Sequence, residues 1–262
     1  LLDAKATATA VLTCREDAVL CGAAWFEACF RKLDPDVREE WLAHDGDRVA
    51  AGATVCRLTG KARALVTSER SALNFLQLLS STATVTARYV DALAGTRTRI
   101  LDTRKTIPGL RRAQKYAVRC GGGTNHRIGL FDGLLVKDNH LSLLPQKTAI
   151  RQACTLAKRR GGTRMPIIVE VESLADVAEA LTGQADIILL DNMTPVMVKK
   201  AVRMINGRAL VEVSGGITLN NVRAMAAAGP DRISIGALTH SAPAAAMTLE
   251  LEPGDAKPKR RR

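Results

Sequence analysis

From about residue 96 onward, short β-branched apolar runs alternate with helical stretches, and this alternation limits the possible folds most strongly. It is typical of parallel strands joined by crossover helices, and therefore predicts an α/β barrel. The predicted strands are Arg99–Leu101, Leu134–Lys137, Ile167–Val171, Ile187–Leu190, Leu210–Val213 and Ile233–Ile235. The predicted helices are Leu110–Arg119, Thr148–Arg159, Leu174–Leu181, Pro195–Ile205 and Leu219–Ala228.

The ends of these helices carry residues that usually begin or end helices. Ser173 and Thr218 are predicted N-caps, and Pro195 suits a first helical turn. Glycines stand where C-terminal caps are expected, at Gly161, Gly183, Gly207 and Gly229. These signals support the boundaries that the apolar pattern predicts.

The first 82 residues follow a different pattern, with helical segments on either side of the turn-rich stretch Asp45–Gly52. Strand-like residues continue to Val66, and Thr67 or Ser68 is predicted to cap the next helix. Apolar residues recur along that helix at three- and four-residue steps, at Leu73, Leu76, Leu79 and Ala83. We therefore expect a separate N-terminal α+β unit.

Charge and hydropathy exclude several classes of protein. The formal net charge is +12, but five of the positive charges lie in Lys257–Arg262, which we expect to be a solvated tail. Aromatic residues make up only 3% of the chain, too few for the base-stacking platforms of a nucleic-acid-binding protein. No apolar run approaches the roughly 20 residues needed to cross a bilayer. We expect no nucleic-acid partner and no membrane partner, and an anionic small-molecule substrate instead.

The six cysteines, together with the first residues of the chain, bear on the compartment. The first residues lack the basic start and apolar stretch of a secretory signal. The cysteines show neither Cys-x-x-Cys pairs nor the dense spacing of a disulfide scaffold: Cys14, Cys21, Cys29, Cys56, Cys120 and Cys154. We predict that they are small buried residues with no metal or redox role, in a cytoplasmic protein.

Polar and charged residues stand at the end of almost every predicted strand. In an α/β barrel the active site is built at these carboxyl ends. Structural ion pairs would explain one such case, but burying several unpaired charges is too costly to explain them all. The residues concerned are Asp102–Lys105, Lys137–His140, Glu170 and Glu172, Asp191-Asn192, Glu212–Gly216 and Gly236-Ala237.

The candidate site residues are of three chemical kinds, which follow one another along the chain. The cations come first, and they are Arg104, Lys105, Arg127 and Lys137, with His126 nearby. Together they suit a ligand with more than one negative charge, although each alone could be a solvated surface residue. Glu170 and Asp191 offer the oxygen ligands that Mg²⁺ prefers. Two glycine turns come last and suit a phosphate, although either could be a plain strand-to-helix turn: Ser214-Gly215-Gly216 and Gly236-Ala237.

Most of the chain, from about Val11 to Ser241, resembles the quinolinate phosphoribosyltransferase family. The resemblance rests on an ordered series of motifs, which chance would hardly produce. They are Glu69–Asn74, Asp102–Thr106 with Pro108–Arg111, Gly121–Gly123 with Asn125–Arg127, Lys137–His140, Val169–Glu172, Leu190–Asn192, Ser214–Gly216 and Gly236–Thr239. Ser81 departs from the glycine that relatives often have there, and the basic tail after Ala242 is not part of the pattern.

The resemblance implies an activity and a fold. The activity is the decarboxylating transfer of phosphoribose from phosphoribosyl pyrophosphate to quinolinate, which yields nicotinate mononucleotide for NAD biosynthesis. The expected fold is an incomplete TIM-like barrel of about six to seven parallel strands, with an N-terminal α+β sandwich domain. We expect the barrel to span residues 83–239, and the sandwich to span residues 1–82, joined by residues 240–262.

The resemblance also implies roles for individual residues. Quinolinate would be held by Arg104, His126, Arg127 and Lys137, with Arg70 arriving from the neighbouring subunit of a homodimer or larger oligomer. Glu170 and Asp191 would hold Mg²⁺ and phosphoribosyl pyrophosphate. Lys137 and the glycine turns, Ser214–Gly216 and Gly236-Ala237, would bind the same substrate. The catalytic residues would be Lys105, Glu170 and Asp191.

Three alternative functions stay open at this point. A phosphoribosyltransferase for nicotinate or another aromatic acid would keep the metal and phosphate sites but need fewer cations. A carrier domain is suggested by Asp45–Val49 and Gly52, which are similar to lipoyl and biotinyl turns, but no carrier lysine follows. Binding of nucleic acid through the terminal Lys257–Arg262 run is the third.

Overall fold

The computed structural model describes residues 2–144, 148–161 and 165–253. The predicted solvated tail, Lys257–Arg262, therefore lies outside the described residues. The chain separates into two compact units. The first holds the described residues up to Ala87, Tyr116–Gly122 and those from Ala242 onward, and the second holds Arg88–Lys115 and Gly123–Ser241. No helix in the described ranges is long and apolar enough to cross a membrane.

The first unit is built on a four-stranded antiparallel sheet. Its strands are β1 (Thr7–Cys14), β3 (Arg38–Trp41), β5 (Thr54–Lys61) and β12 (Met247–Pro253), in the order β12-β1-β5-β3. A smaller antiparallel pair joins β2 (Ala18–Val19) to β4 (Arg48–Val49). Alternate residues of β1 are buried, so the sheet places one face on a core.

Two helices contribute to the core of the first unit. They are α1 (Ala23–Arg31) and α2 (Ala62–Ala92). Phe26 and Phe30 of α1, and Leu73 and Leu76 of α2, belong to one buried cluster with Leu12 of β1. The helices thus cover one face of the sheet, which confirms the predicted α+β sandwich.

The start of α2 differs from the prediction. Thr67 and Ser68 lie inside the helix rather than at its cap, because α2 begins at Ala62, directly after β5. Their hydroxyl groups are satisfied there, since Thr67 donates to the Arg63 carbonyl and Ser68 to the Cys29 carbonyl. The predicted apolar face of this helix is confirmed, because Leu73, Leu76, Leu79 and Ala83 are all buried.

The second unit contains a six-stranded parallel sheet. The strands pair in the order β6-β11-β10-β9-β8-β7. Their bounds are β6 (Arg99–Leu101), β7 (Leu134–Val136), β8 (Ile167–Val171), β9 (Ile187–Asp191), β10 (Leu210–Ser214) and β11 (Arg232–Ser234). Thr124 adds a single parallel bridge to Leu101 beside β6. The prediction of six to seven parallel strands in an incomplete barrel is confirmed.

Helices alternate with these strands along the chain. They are α3 (Arg111–Cys120), α4 (Asp138–Leu141), α5 (Ala149–Gly161), α6 (Leu174–Thr182), α7 (Pro195–Ile205), α8 (Val222–Ala227) and α9 (Ala237–His240). Ser173 caps α6 as predicted, accepting a hydrogen bond from the Asp176 N–H, and Pro195 begins α7. Thr218 is not the cap of α8: Asn221 is, and its side chain accepts from the Thr218 N–H and donates to the Gly216 carbonyl.

Candidate active site

A cavity of about 580 Å³ lies in the second unit, at the carboxyl ends of the parallel strands. It brings together all the predicted site residues except Arg70. Those that line it are Arg104, Lys105, His126, Arg127, Lys137, Glu170, Asp191, Ser214, Gly215, Gly216, Gly236 and Ala237. Arg70 lies on α2 in the first unit, where its side chain is 69% exposed.

Asp102, directly after β6, organises the cation-bearing side of the cavity. It is fully buried and pairs with the buried ammonium of Lys115 on α3. The same carboxylate accepts hydrogen bonds from Asn125 Nδ2 at 2.6 Å and the His126 N–H at 2.8 Å. Lys115 also donates to the His126 carbonyl at 2.9 Å. One buried ion pair therefore fixes the loop that carries His126 and Arg127.

Burial disfavours the charged form of both Asp102 and Lys115, and the charge of each partner opposes that effect on the other. Burial raises the pKa of Asp102, and the charge and hydrogen bond of Lys115 oppose that rise. Burial likewise lowers the pKa of Lys115, with Asp102 opposing the change. Either charge left alone in this position would be strongly unfavourable, so each partner makes the other necessary.

His126 lies at the cavity wall with both ring nitrogens used by the protein. Nδ1 accepts the Arg127 N–H at 2.7 Å, and Nε2 lies 3.1 Å from Oε1 of Glu212. Glu212 is fully buried on β10 and also lies 2.8 Å from Nε of Arg232, although neither contact has good hydrogen-bond angles. Burial favours a raised pKa for Glu212, but His126 and Arg232 outweigh it, so the pKa is lowered. The direct role of His126 on a substrate carboxylate stays a prediction.

Two arginines lie close together in the cavity. Burial and then the charge of Arg104 lower the pKa of Arg127, whose Nη1 donates to the Gly133 carbonyl at 2.9 Å. The side chains of Arg104 and Lys105 form no hydrogen bond or ion pair with other described residues. These like charges repel one another, and an anionic ligand between them would relieve that repulsion.

The acidic residues lie on β8 and β9, which are paired in the sheet. Glu170 of β8 pairs with Lys137, which follows β7. Asp191, at the end of β9, accepts from Ser214 Oγ at 2.5 Å and from Asn192 Nδ2 at 2.8 Å. Two carboxylates leave most positions of an octahedral ion to water and phosphate oxygens, which fits a Mg²⁺ ion that arrives with its substrate.

The two glycine turns expose backbone donors to the cavity. No described residue accepts a hydrogen bond from the N–H groups of Gly215, Gly216 or Gly236. Gly215 has φ +87°, and a Cβ there would lie 2.1 Å from Oδ1 of Asn192. This position therefore requires glycine, and the turn presents N–H groups that suit a phosphate.

Several cavity residues were missing from the predicted site. They are Thr103, Leu135, Leu189, Asn192, Glu212, Ile217, Ser234, Ile235 and His240. The apolar ones belong to strands or their ends and carry no chemical signal in the sequence. Thr103, Asn192 and Glu212 were recognised as strand-end residues, but none was given a role in the predicted site. The His240 ring lies against the Gly236 turn, where a Cβ would be 3.0 Å from its Nε2.

This cavity lies at the carboxyl edge of a parallel sheet and offers cations and open glycine turns. Such a cavity is typical of α/β-barrel enzymes that act on phosphorylated anions. Comparison with family models shows to which family within this class of enzyme the chain belongs. Residues 1–80 match the quinolinate phosphoribosyl transferase N-terminal domain, and residues 82–250 match its C-terminal domain. The chain belongs to the quinolinate phosphoribosyltransferase family.

Individual relatives agree with the family match. A probable nicotinate-nucleotide pyrophosphorylase [carboxylating] from Bacillus subtilis is 38% identical over 242 residues, covering 92% of this chain and 83% of the relative. The tobacco quinolinate phosphoribosyltransferase [decarboxylating] 1b is also 38% identical, over 91% of this chain and 72% of its own length.

Solved structures extend the similarity to the fold. The nicotinate-nucleotide pyrophosphorylase of Francisella tularensis is 42% identical with a TM-score of 0.88, over 94% of this chain and 86% of that one. The enzyme of the same name from Ehrlichia chaffeensis is 36% identical with a TM-score of 0.90, over 96% and 90%.

The Asp102–Lys115 pair gives a stability prediction. Replacing Asp102 with Asn leaves a buried ammonium without its counter-ion, and we expect the free energy of unfolding to fall by about 3–5 kcal/mol. The double variant Asp102→Asn/Lys115→Met removes that unpaired charge and should recover a substantial part of the loss. Urea unfolding followed by circular dichroism measures both effects.

A matched control is Glu250→Gln, which breaks an exposed pair in which Glu250 Oε1 lies 4.0 Å from Nη2 of Arg15. We expect it to change the free energy of unfolding by no more than about 0.5 kcal/mol. Equal losses in the single and double variants would show that the ion pair does not account for the burial of these two residues.

Proposed function

We propose that the chain joins quinolinate to phosphoribosyl pyrophosphate, releasing pyrophosphate and carbon dioxide and forming nicotinate mononucleotide for NAD biosynthesis. Family membership supports the assignment. The geometric observation that carries it is that one cavity is lined both by the cations Arg104 and Arg127 and by the open glycine turns after β10 and β11. A dicarboxylate and a phosphorylated sugar are the two ligands that such a cavity suits.

Quinolinate carries two adjacent carboxylates, and the cationic side provides charges for both. The forks of Arg104 and Arg127 are suited to paired hydrogen bonds with carboxylate oxygens. Lys137 follows β7 and is held by Glu170 of β8, so it can face either substrate. His126 would support Arg127 through its Nδ1, and would contact the substrate itself only after its ring turns.

Phosphoribosyl pyrophosphate would occupy the other side of the cavity. Its 5′-phosphate would accept from the open N–H groups of Gly215, Gly216 and Gly236, in the turns Ser214–Gly216 and Gly236-Ala237. Glu170 and Asp191 would hold the ribose and the Mg²⁺-bound pyrophosphate. When bound, Mg²⁺ neutralises the negative charge that develops on the departing pyrophosphate.

The catalytic contribution of the chain is positioning and charge stabilisation. Lys105 would stabilise the leaving pyrophosphate, while the Glu170 and Asp191 carboxylates favour the positive charge that develops on the ribose. Arg104 and Arg127 would hold the ring so that its nitrogen faces the ribose carbon. Once bonded, this nitrogen is cationic and stabilises the electron pair left when the adjacent carboxylate departs as carbon dioxide. A proton from water then bonds to that ring carbon and completes the product.

Arg70 completes the proposal. Among the described residues, its exposed side chain on α2 forms an ion pair only with the adjacent Glu69, a long 4.0 Å contact between Nη2 and Oε1. We propose that it reaches the quinolinate end of the cavity in a second copy of the chain, within a homodimer or larger oligomer.

We also propose a cytoplasmic location, although the rice relative is named as chloroplastic and one tobacco relative as mitochondrial.

Carbon dioxide release tests the reaction itself. With phosphoribosyl pyrophosphate, Mg²⁺ and carboxyl-labelled quinolinate, we expect one labelled carbon dioxide for each nicotinate mononucleotide formed. With nicotinate in place of quinolinate we expect no turnover, because one carboxylate leaves the cation pair incompletely neutralised. Turnover of nicotinate alone would overturn the substrate assignment. Omitting Mg²⁺ and adding a chelator should abolish product formation with quinolinate.

The two sides of the cavity can be separated by calorimetry. Arg104→Ala should weaken quinolinate binding roughly 10- to 150-fold, since a hydrogen-bonded charge contributes about 1.5–3 kcal/mol. It should leave the affinity for phosphoribosyl pyrophosphate nearly unchanged. Arg203→Ala, at an exposed arginine on α7, is the matched control and should alter neither affinity. Equal losses for both substrates would contradict the division of the cavity.

Hybrid dimers test the role of Arg70. Arg70→Ala and Glu170→Gln chains should each be nearly inactive alone, but mixing them should restore one intact site in every hybrid dimer. Mixing Glu170→Gln with Asp191→Asn should restore nothing, because both defects lie in a chain's own cavity. If the first mixture stays as inactive as the second, Arg70 does not act across subunits.

A further inference from the structure

Two cysteines that are distant in the sequence meet in the first unit. The Sγ atoms of Cys21 and Cys120 and a carboxylate oxygen of Asp45 all lie within 4.8 Å of one another. Cys21 directly precedes Gly22, the N-cap of α1, and Cys120 is the last residue of α3. The sequence prediction treated these cysteines as inert buried residues, because their separation of 99 positions hides the contact.

The backbone on both sides of this thiol pair is held firmly. The Cys21 N–H donates to Ser80 Oγ at 2.9 Å, and that hydroxyl donates to the Cys21 carbonyl at 3.1 Å. After Cys120 the chain passes so close to α2 that a Cβ on Gly121 would lie 2.3 Å from the Ala83 carbonyl oxygen. The two sulfurs are therefore brought together by backbone segments that are held in place on both sides.

The Asp45 carboxylate is already used, which disfavours a metal ion. Its Oδ1 accepts from the Gly22 and Ala23 N–H groups at 2.9 and 3.1 Å, and caps α1. Its Oδ2 accepts from Tyr116 Oη at 2.9 Å. A tetrahedral zinc site needs four ligands, whereas this cluster offers two sulfurs and one fully engaged carboxylate.

The surroundings favour a thiolate on Cys120. Contact with the Cys21 thiol, and then with the Tyr116 hydroxyl, outweighs burial and lowers the pKa of Cys120 to about 7. Asp45 opposes this change and the charge of Arg119 supports it. Contact with Cys120 and burial raise the pKa of Cys21, so Cys120 is the sulfur of the pair that more readily becomes a thiolate. Cys120 is partly exposed, whereas Cys21 is fully buried.

We propose that Cys21 and Cys120 form a peroxide-sensitive thiol pair that closes to a reversible disulfide. The Cys120 thiolate attacks a peroxide oxygen, the O–O bond breaks, and Cys120 becomes a sulfenic acid while hydroxide or alkoxide leaves. The Cys21 sulfur then displaces the hydroxyl oxygen as water, forming the S–S bond. Two thiols are oxidised and one peroxide is reduced, and a dithiol reductant reverses the change.

Peptide mapping of the unaltered protein tests the proposal directly. Brief treatment with hydrogen peroxide at neutral pH, followed by alkylation of the remaining thiols, should yield a cross-linked peptide pair containing Cys21 and Cys120. Dithiothreitol should abolish the cross-link. Recovery of Cys21 as an alkylated thiol beside an over-oxidised Cys120 would overturn the proposal. So would tight retention of Zn²⁺ by the pair after incubation with the metal and dialysis.

Variants of the two cysteines distinguish the sulfur that attacks the peroxide from the sulfur that then closes the disulfide. Cys21→Ala should trap Cys120 as a sulfenic acid, which a 1,3-diketone reagent labels, and Cys120→Ser should remove both the label and the cross-link. Cys154→Ser, at a buried cysteine of α5, is the matched control and should leave the Cys21–Cys120 cross-link unchanged. Sulfenic-acid labelling of Cys21 in the Cys120→Ser chain, with no labelling of Cys120 in the Cys21→Ala chain, would contradict the assignment of the attacking sulfur.

The pH profile provides a second measurement. Because the thiolate is the reactive form, alkylation of Cys120 should rise with pH and level off above its pKa of about 7. Tyr116→Phe removes a hydroxyl that contacts Cys120 and donates to Asp45, whose charge opposes the thiolate, so it should move the midpoint of that rise to higher pH. A midpoint that is the same in the two proteins would contradict the role of Tyr116.

Discussion

The buried pair of Asp102 and Lys115 is the interaction on which the arrangement of the cavity depends. The carboxylate follows β6 and the ammonium lies on α3, so the pair joins a strand end to the helix that comes next. It also binds the backbone of His126 and the side chain of Asn125. Because neither charge is stable alone in this position, the loop that presents Arg127 has one favourable arrangement.

A second link joins the cations to the phosphate-binding side. Thr239 of α9 donates its hydroxyl to the Lys105 carbonyl at 2.7 Å, and its own carbonyl accepts from Gln114 Nε2 at 2.6 Å. The loop after β6 is therefore tied to the turn after β11, which lies beside it in the sheet. Residues far apart in the sequence thus present charge and open N–H groups to one cavity.

The fold was predictable where local patterns decide it. The six parallel strands have strong apolar runs, and the Ser173 and Pro195 signals are local, so the sequence predicts their positions closely. The prediction failed where distant contacts decide the structure. α2 begins at Ala62 because Ala62 and Leu65 belong to the buried core of the first unit, and β12 was missed because only pairing with β1 makes it a strand.

The site was predictable for a related reason, since parallel strands bring residues that follow them to the same edge of the sheet. That rule predicts which residues meet, but not what each one contacts. His126 was identified as a cavity residue, yet only the structure reveals that Nδ1 accepts from Arg127 and that Nε2 faces the buried Glu212. The contact between Cys21 and Cys120 follows no strand-end rule, since it depends on how α3 ends beside α2.

Arg104 and Arg127 lie close together, so the cavity contains two positive charges that repel each other. Each guanidinium disfavours the other, and burial makes the repulsion stronger. The Asp102–Lys115 pair and the Gly133 carbonyl hold the loop in place despite this repulsion. A dicarboxylate between the arginines would remove the unfavourable interaction, whereas a monocarboxylate would remove only part of it. The same repulsion that destabilises the empty cavity therefore favours the doubly charged acid over the singly charged one.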